Sequence, residues 1–179
     1  DGIRVLNHTQ QETEEGAYGK VKVGGLEFAD GVVGYVALKI FEYPEFMEAE
    51  QNLLQFIVPT AEYTPCIAQM YVSAFAGSRA FIVQQFAGTN TWETLLWSPI
   101  MRQGGELSPF VFITFFMVVH ALAAIQHKVG MFCHWDIKPN NIMIMRLPAP
   151  TVLRLQLEGV PPVTLHTHYI AKIIDFGAG

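Results

Sequence analysis

Two short polar motifs in the last third of this 179-residue chain constrain its fold and chemistry more than any other feature. The first, residues 134–141, reads H-x-D-x-K-P-x-N, and the second, residues 175–177, reads D-F-G. They supply Asp136, Lys138, Asn141 and Asp175. One carboxylate can orient a hydroxyl, while an amide and a second carboxylate can hold the metal ions of a nucleotide. This spacing therefore indicates phosphoryl-transfer chemistry.

Three weaker patterns precede these motifs in a consistent order. They are Gly16-Ala17-Tyr18-Gly19-Lys20-Val21, Val36-Ala37-Leu38-Lys39 and Glu50-Gln51-Asn52-Leu53-Leu54. Each is common by chance, but all of them together at plausible spacing are specific. From roughly Val5 to Gly179 the chain resembles the catalytic core of eukaryotic-type protein kinases. Lys138 resembles the lysine of the Ser/Thr-directed members.

The resemblance implies a fold and a division of the chain. We expect an α+β, protein-kinase-like fold: a five-stranded antiparallel small lobe with one helix, the family's αC, plus the first part of a helical large lobe. The small lobe would span 1–87 and the incomplete large lobe 88–179. Because the sequence stops shortly after the D-F-G motif, we expect it to be an amino-terminal piece of a kinase or a truncated one.

Local patterns predict the elements. Residues 1–15 read as a polar lead-in, and apolar alternation predicts strands while i, i+3, i+4 spacing predicts helices. The predicted strands are 21–23, 35–41, 67–75 and 80–86, and the predicted helices are 44–56, 92–97 and 109–125. Two β-rich runs, 151–157 and 163–170, predict a lengthened hairpin in the 33 residues between Asn141 and Asp175.

The segment 109–125 is apolar enough to suggest a membrane span. It is short for one and contains Thr114 and His120, so we favour a buried helix, the family's αE, and expect no membrane. If the rest of the large lobe is missing, an apolar face of this helix is exposed. Such a face would bind another protein.

The resemblance implies a nucleotide site for ATP with Mg²⁺. Gly16 and Gly19 let the backbone approach the phosphates, although Glu14 stands where the family has a third glycine. Lys39 would hold phosphates, paired with Glu50 in preference to the neighbouring Glu45 or Glu48. The adenine contacts would come from the side chains of Val21, Ala37 and Met143 and the backbone of Gln85 and Ala87.

The catalytic roles also follow from the resemblance. Asp136 would orient the substrate hydroxyl, Lys138 would steady the transferred phosphoryl group, and Asn141 with Asp175 would bind Mg²⁺. Trp135 replaces the family's usual arginine, so control through a phosphorylated loop at this position is not expected. Trp135 and the long hairpin resemble kinase-like proteins of large DNA viruses, which would place the chain in the cytoplasm of a host cell.

Composition narrows the choice of partners. The net charge is −5 without a cluster of lysines and arginines, so we expect no nucleic-acid partner. The two cysteines, Cys66 and Cys133, indicate a reduced intracellular setting. His166 and His168 lack further ligands at metal-site spacing.

Two functions of different class remain open. The first is a Ser/Thr protein kinase with a protein substrate. The second is an inactive kinase-lobe mimic that binds and regulates a partner kinase. A small-molecule phosphotransferase fits less well with Lys138-Pro139. The intact set of Lys39, Asp136 and Asn141 favours the kinase.

Overall fold

The computed structural model describes residues 4–6, 12–16, 19–27, 33–57, 59–60, 63–96 and 109–176. Within these ranges the chain is α+β, with two antiparallel sheets and three α-helices. It divides into two compact units, one of residues 1–54 with 69–86 and one of residues 55–68 with 87–179. The predicted lobes at 1–87 and 88–179 stay a prediction.

The first unit contains a six-stranded sheet. Its strands are β1 (Arg4–Leu6), β2 (Glu12–Gly16), β3 (Gly19–Glu27), β4 (Val33–Phe41), β5 (Met70–Ala76) and β6 (Arg79–Gln85). The order is β1-β3-β4-β6-β5, and β2 also pairs with β3. Strand β4 lies between β3 and β6 and carries Lys39, so this lysine is placed inside the sheet rather than at its edge.

Helix α1 (Pro44–Ile57) follows β4 after a short turn, in which the amide of Phe46 donates to the carbonyl of Tyr43. Proline suits the first helical position because its missing N–H would have no partner there. Met47, Glu50 and Leu54 are buried. Their spacing of three and four residues puts them on one face of the helix. Glu50 is therefore an acidic residue on an otherwise apolar stripe.

The second unit contains a three-stranded sheet in the order β7-β8-β9. Its strands are β7 (Asn90–Thr91), β8 (Ile142–Leu157) and β9 (Val160–Ile173). Strands β8 and β9 form a long hairpin that turns at Glu158 and Gly159, where Gly159 has φ 76. The ladder is irregular between Arg146 and Thr151, a stretch that contains two prolines without an amide to donate.

Two helices complete the second unit, α2 (Trp92–Leu96) and α3 (Pro109–Val129). One face of α3 is buried, including Met117, Ala121 and Ile125. Phe112 on another face is 63% exposed. Within the described part of the chain, α3 is the one helix long and apolar enough to cross a membrane; core helices of soluble proteins pass the same test.

The prediction of a five-stranded antiparallel small lobe with an αC helix, followed by the first part of a helical large lobe, is wrong. The first sheet has six strands because the nine-residue β3 offers one edge to two short partners: β1 pairs with Leu26 and its neighbours, and β2 pairs nearer Gly19. These partners lie in the stretch interpreted as a polar lead-in. The second unit has its own sheet because the hairpin runs from Ile142 to Ile173 and pairs with β7.

Candidate active site

A buried ion pair links β4 to α1 in the first unit. The Nζ atom of Lys39 donates to Oε2 of Glu50 at 2.5 Å, and Glu50 is 1% exposed. The alternative partners, Glu45 and Glu48, are exposed. A buried ammonium requires a charged or polar partner. Glu50 is therefore the one of the three glutamates that fixes the position of Lys39.

The predicted adenine residues of the first unit belong to neighbouring strands. Val21 pairs with Lys39 across β3 and β4, and Ala37 lies two residues before Lys39 on the same strand. Because side chains alternate along a strand, Val21, Ala37 and Lys39 share one face of the sheet. Gln85 ends β6, opposite Val36, and its amide donates to the carbonyl of Gln69.

The predicted phosphate-binding glycines stand at the ends of β2 and β3. Gly16 pairs with Gly19, and the ladder shifts register between Thr13 and Glu15, where Glu14 lies. Ala17 and Tyr18, which connect the two strands, lie outside the described residues. The glycines are thus at a hairpin end, and their contact with phosphate stays a prediction.

Two further predicted adenine residues, Ala87 and Met143, belong to the second unit. Ala87 is buried and precedes Gly88, whose φ is 118. A Cβ atom on Gly88 would lie 2.5 Å from the carbonyl oxygen of Ile144. Only a glycine lets the chain pass so close to β8. In the antiparallel register it is Thr91, not Ala87, that pairs with Met143, so the structure does not bring these two predicted adenine residues together.

Burial alternates along residues 132–135, where the chain enters the first motif. Phe132 and His134 are buried, whereas Cys133, which lies between them, and Trp135, which follows, are exposed. Phe176 is buried beside both inward side chains: its ring centroid lies 6.3 Å from that of Phe132 and 4.9 Å from that of His134. Phe176 of the second motif is thereby packed against the segment that leads to Asp136.

Asp136 is held by two later residues of its own motif. Its Oδ2 atom accepts hydrogen bonds from Nζ of Lys138 at 2.7 Å and from Nδ2 of Asn141 at 3.0 Å. Nδ2 of Asn141 also donates to the backbone carbonyl of Asp136 at 2.9 Å. The bond from Lys138, its charge, and the bond from Asn141 together lower the pKa of Asp136. The carboxylate is therefore charged and oriented at neutral pH.

The chain returns to this loop immediately before Asp175. The amide of Ile174 donates to the carbonyl of Asn141 at 3.0 Å, and the carbonyl of Ile174 lies 3.2 Å from Nε2 of His134. These two contacts bring Asp175 next to the loop of Asp136. All four residues of the two motifs with predicted catalytic or metal-binding roles are thus gathered in one part of the second unit.

Backbone strain is concentrated at the same place. Within the described ranges, Trp135 (φ 59) and Asp175 (φ 61) are the two non-glycine residues with positive φ. Such residues cost about 1–3 kcal/mol each and persist where the surroundings fix them, often at functional sites. For a residue as bulky as tryptophan this conformation is an outlier. The sequence carries no signal for the strain, because it depends on contacts between distant segments.

The donor set fits a hard cation such as Mg²⁺. Because Nδ2 of Asn141 is directed at Asp136, Oδ1 of Asn141 is the atom left to coordinate a metal, together with the carboxylate of Asp175. Mg²⁺ is commonly bound by one or two protein oxygens plus phosphates and waters. In the described part of the chain no three His, Cys, Asp or Glu residues cluster, so a metal site formed wholly by such side chains is not found there.

One buried charge near the site was not anticipated from the sequence. Lys172 lies in β9, three residues before Asp175, and is 3% exposed. Its Nζ donates to the carbonyl oxygens of Pro65 at 2.6 Å and Ile67 at 3.3 Å. Its signal in the sequence is a lysine inside the apolar run 169–174, where a charged side chain requires polar partners.

Comparison with known proteins adds no relative. No protein-family model matches the chain, and no curated protein matches it. The roles of the residues therefore depend on their geometry and chemistry.

Proposed function

We propose that the chain is an ATP-dependent phosphotransferase of the protein-kinase type, which transfers the γ-phosphoryl group to serine or threonine hydroxyls. The arrangement of Asp136 carries this proposal. An ionised carboxylate bonded to Lys138 and Asn141, with Asp175 beside the same loop, is the set that hydroxyl phosphorylation needs.

Each group of the loop has a part in the reaction. Asp136 accepts a hydrogen bond from the substrate hydroxyl and directs its oxygen towards the phosphorus. Lys138 places positive charge beside that oxygen, where the negative charge of the transferred group passes. Asn141 orients the carboxylate through its amide. Positioning of this kind can contribute about 7–11 kcal/mol to lowering the barrier.

In the second unit, Asn141 and Asp175 would hold the Mg²⁺ of the nucleotide. In the first unit, Lys39, fixed by Glu50, is the group whose charge suits phosphate oxygens. Bound Mg-ATP supplies the phosphoryl group and neutralises part of its charge. A lysine fixed by a buried glutamate binds phosphate with little loss of side-chain entropy, since its position is set before the nucleotide arrives.

The test is transfer of labelled γ-phosphate to casein and to myelin basic protein in the presence of Mg²⁺. Asp136→Asn should lower the rate by about 10²–10⁴-fold, the usual loss when an acid–base group is removed. Binding of ATP by the variant should be unchanged. The matched control is Glu158→Gln at the exposed hairpin turn, which should keep the rate. Equal rates in Asp136→Asn and the parent chain would overturn the proposal.

One observation supports a second candidate, a non-catalytic partner of another kinase. The side chains of Phe112, Phe115, Phe116 and Val119 leave an apolar face of α3 exposed. Exposed apolar surfaces of this kind often mark protein contacts. The two candidates differ in the same assay: a mimic transfers no phosphate with or without Asp136, and replacing Phe112 and Phe115 by serine would weaken its binding to the partner kinase.

A further inference from the structure

The buried ammonium of Lys172 joins two segments that are more than 100 residues apart in sequence. It donates to the carbonyls of Pro65 and Ile67, which belong to the stretch that follows α1. The backbones are joined as well: the amide of Ile173 donates to the carbonyl of Cys66 at 2.8 Å, and the amide of Ala68 donates to the carbonyl of Ile173 at 3.3 Å. We refer to residues 65–68 with Lys172 and Ile173 as the lysine clamp.

The clamp is continuous with the segment that places Asp175. After Ile173, Ile174 is bonded through its amide to Asn141 and through its carbonyl to His134. Phe176, on the other side of Asp175, is buried against His134. Residues on both sides of Asp175 are therefore anchored. This anchoring explains how Asp175 keeps its left-handed backbone, which is strained unless its neighbours fix it.

A lysine is a costly choice for packing alone. Burial of an ammonium is unfavourable, and a methionine of similar length would fill the space without a charge. What the ammonium adds is direction, because its N–H groups must point at carbonyl oxygens. The two carbonyls that it binds lie on either side of Cys66, whose own carbonyl holds Ile173. The ammonium thus fixes the segment of residues 65–67 to which Ile173 of β9 is bonded.

We propose that Lys172 is a positioning residue, which holds Asp175 in its metal-binding place by clamping residues 65–67 to β9. The proposal rests on the function proposed above for Asp175 as a magnesium ligand. Lys172 does not touch the metal or the substrate. It acts through Ile173 and Ile174, and its loss should loosen the segment around Asp175 without unfolding the first unit.

The first measurement is amide hydrogen exchange in the chain without nucleotide. In Lys172→Met the amides of Ile173 and Ile174 should exchange at least about tenfold faster, because local opening sets their protection. Amides in the ladder of β3 and β4 should exchange at the parent rate. The control variant is Arg154→Met, which removes an exposed arginine of β8 and should change neither set. Unchanged exchange at Ile174 in Lys172→Met would overturn the proposal.

The second measurement is the Mg²⁺ concentration that half-saturates phosphoryl transfer. Residues that orient metal ligands typically change metal affinity by about 10–100-fold, so Lys172→Met should raise this concentration by about tenfold. The rate at saturating Mg²⁺ should stay near that of the parent. A lowered rate with an unchanged Mg²⁺ dependence would show a merely structural role and would overturn the proposal.

The two measurements separate this proposal from the proposed function. If the parent chain transfers no phosphate and Asp136→Asn behaves like it, the proposed function fails, and a metal-positioning role fails with it. Hydrogen exchange still shows whether the clamp holds Ile174. If Lys172→Met does not fold, Lys172→Gln replaces it, since an amide can donate to one of the two carbonyls. In Lys172→Gln the amide of Ile174 should exchange faster than in the parent chain but slower than expected for Lys172→Met. An unchanged exchange rate at Ile174 in this variant would contradict the clamp.

Discussion

The rings of Phe176 and His134 are in contact in the second unit, with centroids 4.9 Å apart and planes tilted by 48°. His134 lies two residues before Asp136, and Phe176 follows Asp175 directly. One aromatic contact therefore joins the two motifs whose carboxylates would act together. The imidazole also reaches the carbonyl of Ile174 through Nε2, so the same histidine holds the chain on both sides of Asp175.

Removal of the Phe176 ring should lower the stability of the protein and loosen the placement of Asp175. Phe176→Ala should lower the free energy of unfolding by about 3–5 kcal/mol, as is usual for a buried phenylalanine. The control is Phe75→Ala on β5, whose side chain is 57% exposed and whose loss should change stability by about 0.5 kcal/mol at most. Urea denaturation of both variants measures the difference. Equal effects would mean that Phe176 is not buried as described.

Local patterns predicted several single elements, although β1, β2 and β7 were not among them. Helix 44–56 is observed as α1, Pro44–Ile57, since proline at its start and apolar residues three and four apart are short-range signals. The hairpin after Asn141 was also predicted, but it is longer than the runs 151–157 and 163–170. The sequence did not show which strands pair. Residues of β1 pair with residues of β3 that lie 19 to 23 positions later, and nothing local indicates that contact.

In the candidate site, too, contacts between residues close in sequence were predicted and a contact between distant segments was not. Asp136, Lys138 and Asn141 lie within six residues, so their motif predicts that they meet, and the structure brings them together. The ion pair of Lys39 was expected from a lysine within an apolar strand. The clamp of Lys172 was not expected, because its partners are backbone carbonyls more than 100 residues away. Every residue has such a carbonyl, so the sequence does not indicate which ones will accept a hydrogen bond.

Loss of the ion pair in the first unit should be strongly destabilising. Glu50→Gln leaves the buried ammonium of Lys39 without a carboxylate, which typically costs about 3–5 kcal/mol in the free energy of unfolding. Glu48→Gln, two residues earlier on the exposed side of α1, is the matched control and should change it by about 0.5 kcal/mol at most. Thermal and urea denaturation measure both. A cost in Glu50→Gln no larger than in Glu48→Gln would contradict the buried pair.

The carboxyl of Asp136 should titrate below its ordinary range, and Lys138 should be the main cause. The hydrogen bond from Lys138 is the largest influence lowering the pKa of Asp136. Lys138→Met should therefore raise that pKa towards the ordinary value of 3.8. Carbon-detected NMR of the carboxyl between pH 2 and 6 measures the change.

The lowered pKa of Asp136 should also set the acid limit of phosphoryl transfer. An aspartate whose pKa is lowered stays charged until the pH falls through that lower value. Phosphoryl transfer by the parent chain should thus persist to a lower pH than transfer by Lys138→Met, as far as each protein stays folded. The control is Arg154→Met on β8, an exposed arginine 18 residues after Asp136, whose acid limit should match that of the parent. A titration of Asp136 that does not change in Lys138→Met would contradict the assigned hydrogen bond.

The lysine clamp should give the stability of the protein a distinctive pH dependence. Burial lowers the pKa of Lys172 to about 8 from an ordinary 10.5, and burial raises the pKa of the neighbouring Cys66 thiol above 9.0. Between pH 8 and 9 the unfolded chain keeps its proton on Lys172 while the folded chain loses it. The unfolded state then binds more protons, so the free energy of unfolding should rise with pH.

Over that single pH unit the rise from Lys172 should be about 1 kcal/mol, close to the limit for one proton. Lys172→Met should remove it, whereas the control Arg154→Met, at an exposed arginine of β8, should keep it. The unfolded Cys66 thiol, with an ordinary pKa of 9.0, begins to lose its proton in this window while the buried thiol keeps it. This lowers stability and opposes part of the rise, so the test ends at pH 9 and depends on the difference in slope between the parent chain and Lys172→Met. Urea denaturation at pH 7, 8 and 9 measures the slope. If Lys172→Met retains the parent's slope, the ammonium of Lys172 is not buried and charged as the clamp requires.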